Sequence, residues 1–102
     1  MAVIDDIVDG ALNLIHEMGF RIAVQAELLI ENGDDQESRR EKVAAAHAAL
    51  SDLADEFTGL GKEFHAAGTD VVRQTDVMDR ATQERARLPQ RLSDIKAVAL
   101  AA

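Results

Sequence analysis

The sequence predicts an all-α protein, an antiparallel three-helix bundle of long helices forming a single helical domain over residues 1–102. Three observations carry that prediction. Val43, Ala46, Leu50, Leu53, Phe57, Leu60, Phe64 and Ala67 recur at alternating spacings of three and four, the apolar seam of a helix packed lengthwise on other helices. Two glycine-centred boundaries, Asn32-Gly33 and Ala66-Ala67-Gly68-Thr69-Asp70, divide the chain into three segments of similar length. Composition agrees: hydrophobic residues are 47% and charged residues 29%, with one Pro and six Gly to interrupt helices.

Residues 3–32 read as the first helix, with Ile4, Val8, Ala11, Ile15, Met18, Ile22 and Leu29 on its seam and Gln25 in the one polar slot. Asp5, Asp6 and Asp9 suit the positive end of the helix dipole. Gly33 can adopt the left-handed conformation that ends a helix. The second helix is expected over residues 38–67, opened by Ser38-Arg39-Arg40-Glu41 in the form of a capping box. Gly59 and Gly61 fall off its seam. The third is expected over 70–100, capped by Thr69 or Asp70, with Val71, Met78, Ala81, Leu88, Leu92, Ile95 and Ala99 on the seam. Gln74 and Arg85 occupy two of its slots, and Pro89 predicts a kink or break.

The heptad phase of the second helix continues past Gly68 without a slip. The alternative architecture is therefore a helical hairpin with a long continuous second helix, whose uncovered half would need another chain.

The net charge of −8 is uneven: residues 1–38 sum to −8, residues 39–67 to −1 and residues 68–102 to +1. So acidic a first third disfavours nucleic acid and anionic membrane as partners. The basic tract Arg80, Arg85, Arg87, Arg91 and Lys96 reads as its complement. There is no Cys, which removes disulfides, thiolate metal sites and thiol catalysis. The first residues carry no basic stretch ahead of an apolar run, against a signal peptide. Leu12–Ile30 is interrupted by His16, Glu17, Arg21, Gln25 and Glu27, against a membrane span.

The residue patterns of catalysis are missing. Helical di-metal sites place Glu three residues before His, and here Asn13, Ala44 and Lys62 stand in that position before His16, His47 and His65. No metal, cofactor or catalytic residue is expected. Ser38 reads as a cap, and Ser51 follows His47 by one turn without an oxyanion site in view. Ala46-His47-Ala48-Ala49-Leu50 resembles the active helix of histidine phosphotransfer domains, which would make His47 the phosphoryl acceptor. The Lys and Gly that follow in those domains are replaced by Ser51-Asp52.

Phe57-Thr58-Gly59, followed by Gly61 and Phe64, resembles a degenerate form of the Trp-x-Gly turn of small type VII secretion substrates. The resemblance covers residues 57–64 and implies a helical hairpin exported without a signal peptide. The chain departs from that pattern twice. It has no Tyr, hence no Tyr-x-x-x-Asp/Glu signal, and its seam runs on where that family turns.

The reading from sequence is a non-enzymatic structural or interaction module that self-associates or binds a partner protein, cytoplasmic by default. The alternatives are a type VII-like secreted protein and a phosphotransfer protein using His47. The first helix carries more apolar residues than one seam needs. Ile7, Leu14, Phe20, Val24 and Ile30 are expected to form the partner face, with Arg85 an interchain ion-pair member, toward a homo-oligomer or a helical partner.

Overall fold

A computed structural model describes residues 3–102 and contains three helices, α1 (Val3–Glu31), α2 (Gln36–Ala66) and α3 (Val71–Leu100). Each packs against the other two, making the antiparallel three-helix bundle, a rod of 57 × 19 × 18 Å. Both reversals rest on glycine. Gly33 has φ +101°, Gly33 N donates to the Ile30 carbonyl and Asp34 N to the Leu29 carbonyl, so one left-handed residue satisfies two carbonyls at the end of α1. Gly68 has φ +59° and its N donates to the His65 carbonyl. The left-handed turn at Gly68 is why the unbroken heptad phase does not become one long helix: the side-chain pattern continues while the backbone reverses.

All eight seam residues of α2 face the interior, with Phe57 wholly buried and Val43 and Phe64 half-buried against the core. Ile4, Ile22 and Leu88 are the other large side chains sealed from solvent. Gly61 is buried where α1 crosses, and a Cβ there would lie 3.4 Å from the Val8 methyl; Gly19 faces Leu50 in the same way at 3.5 Å. These contacts set the α1/α2 register.

Four expectations are corrected. The N-cap of α2 is Asp35, whose carboxylate accepts from Ser38 N at 2.9 Å, so the helix begins ahead of the Ser38 capping box. An ionised cap also gains from the helix dipole, which a hydroxyl does not. The seam of α3 begins later than expected: Val71 is 68% exposed in the first turn, and Val77 takes the buried position. There is no break at Pro89: the helix continues through it, with Pro89 on the exposed side, where water can satisfy the carbonyl left without a donor. Finally, the basic tract pairs with α2 and with α3 itself, not with α1. Arg80 meets Glu63 at 2.5 Å, and Arg91 bridges Glu56 at 2.8 Å and Glu84 at 3.0 Å. Two of the six carboxylates of α1 meet α2, Asp5 with His65 at 2.9 Å and Glu27 with Arg40 at 3.4 Å.

One charged side chain is inside. Arg39 is 4% exposed; its Nε donates to Asp34 at 2.6 Å and its Nη1 to the Ala99 carbonyl at 2.7 Å. A guanidinium suits the C-terminal carbonyls of α3, where the helix dipole is negative. The same side chain ties the α1–α2 loop to the last turn of α3, across 60 residues of sequence. Hydrogen bonding from Arg39 holds the Asp34 carboxyl below its ordinary value of 3.8.

Replacing Arg39 with Met should cost about 2–4 kcal/mol in urea unfolding, because a buried carbonyl and a carboxylate lose their donor together. A group whose folded pKa is depressed stabilises fully above its unfolded pKa and loses that contribution as pH falls through the folded one. Asp34→Asn should therefore flatten the acid limb of stability against pH below the ordinary aspartate value, and leave the profile above it unchanged in slope.

Candidate interaction surface

The residues expected to form a partner face do not lie on one surface. Ile7 and Leu14 are half-buried against the core, and Ile30 is half-buried. Phe20 is 70% exposed and Val24 44%, and the next turn adds Leu28 at 51%, absent from the expected face. On a helical wheel Ile7 and Phe20 are about 140° apart, which separates them onto different sides of α1. Arg85 is half-buried and, among the described residues, has no ion-pair partner.

Phe20 stands on the lip of an open groove of about 720 Å³ between α1 and α2. Leu12, Ile15 and Leu50 form the apolar floor. The groove exists because the positions above the floor are small: Gly19 and Ala23 on α1, Ser51 and Ala54 on α2. His16 and His47 edge it, and His47 Nε2 donates to the Gly19 carbonyl at 3.4 Å. Beyond its two ends α1 and α2 are joined by the Asp5–His65 hydrogen bond and the Glu27–Arg40 ion pair. A second apolar groove of about 370 Å³ lies between α2 and α3, where Ala45, Ala49 and Ile95 meet Val98, itself 71% exposed. At one end of the rod Val3, Val71 and Val72 are exposed.

His47 is exposed on the outer side of α2, with Gly19 and Ser51 around the groove it edges. His65 is occupied by Asp5 at 2.9 Å. Among the described residues no three His, Asp or Glu side chains converge as metal ligands would. None of the described helices is long and apolar enough to cross a membrane. α2 passes through Phe57-Thr58-Gly59 without a turn, Phe57 pointing into the core. Comparison with protein-family models, with curated proteins and with solved structures finds no match to this chain.

The arrangement is an exposed aromatic ring beside an apolar trough with polar lips. Sequence periodicity alone could flag Phe20 as off the seam. It could not show the groove, which arises from small residues on two helices brought together by the fold. Because Phe20 is outside the core, Phe20→Ser should leave urea stability within about 0.5 kcal/mol, whereas Ile22→Ala should lose about 3 kcal/mol. The same Phe20→Ser change should lower the fluorescence of an apolar dye bound to the native protein.

Proposed function

We propose that this chain is a non-enzymatic helical interaction module that uses the α1/α2 face to bind a helix of a partner protein or of a second copy of itself. The observation that carries this reading is Phe20, a large apolar ring 70% exposed on the lip of the groove. An exposed ring on a helix that has a buried seam of its own adds nothing to folding, and its transfer from water would add to association. The groove supports the reading because its floor is apolar and its lips are polar, the composition of a helix-receiving trough.

A photoreactive phenylalanine analogue placed at position 20, with a control at the exposed position Gln83 on the far side of α3, tests it in the native cell. Adducts of defined mass at position 20 and none at 83 are expected. No adduct at 20, or equal labelling at both positions, would count against the module reading.

A further inference from the structure

The geometry points to a specific occupant of the α1/α2 groove: a second copy of this chain, related by a two-fold axis running along the rod. The inference rests on the interaction-module reading and names its partner. Knob and hole lie on the same face, Phe20 on the α1 lip and the trough beside it. A two-fold contact requires that self-complementarity, since each copy must offer what it receives.

Charge then selects the arrangement. The α1 lip is acidic, with Asp5, Asp9 one turn after it, and Glu27. The α2 lip is basic at matching heights, with Lys62 and Arg40. Asp9 and Lys62 are both exposed, and neither is among the ion pairs of the described residues.

Two face-to-face two-folds are available. An axis across the rod stacks α1 on the other copy's α1 in reverse, bringing Asp5 and Asp9 against Glu27 and placing Arg40 over Lys62. Like charges meet on both helices. An axis along the rod stacks α1 on the other copy's α2. The α1/α2 register, fixed by Gly19 on Leu50 and Gly61 on Val8, then brings Asp9 near Lys62 and Glu27 near Arg40, in duplicate. Phe20 arrives over the small residues of the α2 lip, at the height of His47 and Ser51. The exposed Asp55 falls opposite Asn13, and repulsion remains where Glu31 meets Glu37 and Glu41 beside the acidic loop. Each α1/α2 contact between the two copies is antiparallel, which also aligns those helix dipoles favourably. Charge placement of this kind rejects the wrong arrangement as much as it favours the right one.

The chain has no cysteine, so one introduced residue is a unique label. Sedimentation equilibrium of the purified protein over roughly 1–300 µM should show mass rising from monomer to dimer. Phe20→Glu should weaken the dimer by about 30-fold or more, while Val98→Glu on the α2/α3 groove should not change it. Lys62→Glu should weaken it by about five-fold, and Asp9→Lys added to Lys62→Glu should restore it. Circular dichroism of each variant verifies that the helices remain. Spin labels on Thr69→Cys should sit at one end of the dimer, at a separation well short of the 57 Å rod length. A strict monomer across the range would overturn the inference, and adducts to a different protein at position 20 would then still support the module reading. Labels a rod length apart, or a dimer indifferent to Phe20→Glu, would equally overturn it.

Discussion

The structure depends on the single apolar seam of α2, which α1 and α3 must share. A bundle 19 × 18 Å across has room for one line of core. Leu50, Leu53, Phe57 and Leu60 occupy that line along most of its length, each at most 8% exposed. α1 supplies Ile4, Val8, Ile15 and Ile22, and α3 supplies Val77, Ala81, Leu88 and Leu92. With the line filled, further apolar side chains have nowhere to go. Phe20 and Val24 are outside because each lies about 160° around α1 from Ile22 on the buried seam, and Leu28 follows one turn later on the same exposed side.

Charge is organised by azimuth around each helix rather than by position along the chain. The segment totals, −8 and then −1 and +1, suggest that the ends of the chain attract one another. In the bundle, the lip of α1 that faces α2 carries Asp5 and Glu27, and they meet His65 and Arg40. The other side of α2 carries Glu56 and Glu63, and they meet Arg91 and Arg80. Each exposed pair contributes little to stability, commonly under about 1 kcal/mol. Their orientation still matters, because a register shift by one turn would separate the partners on both sides of α2.

That distinction explains what the sequence made legible. The three helices, their glycine-terminated ends and the α2 seam follow from local rules that need only neighbours three and four residues away. The cap of α2 did not, because Asp35 and Ser38 are both good caps and the local pattern cannot rank them. The entry of α3 did not, because Val71 and Val77 are both apolar and only the bundle decides where burial begins. Arg39 was invisible for a stronger reason. A buried guanidinium is explained by Ala99 and Asp34 together, and Ala99 becomes its neighbour only once three helices have assembled. The side of each apolar residue on α1 is a similar case: grouping residues off one seam by exclusion does not say that Ile7 and Phe20 share a side.

The glycines connect the packing to the surface. Within a helix each costs about 1 kcal/mol relative to alanine, and Gly10 and Gly59 have open space around them that gives no packing reason for their presence. Gly19 and Gly61 differ. Leu50 and Val8 approach to distances at which anything larger than a methyl group would push α1 away from α2. Phe20, the next residue after Gly19, lies about 100° further around α1 and so stands at the surface beside this contact. Ala23, Ser51 and Ala54 keep the space above Gly19 empty. The same small residues thus let Leu50 and Val8 pack against α1 and α2 and leave a trough beside Phe20. Filling Gly19 with a larger side chain would alter the spacing of the core and the shape of the groove at once, so the stability of the bundle and the form of its outer face are not separable properties here.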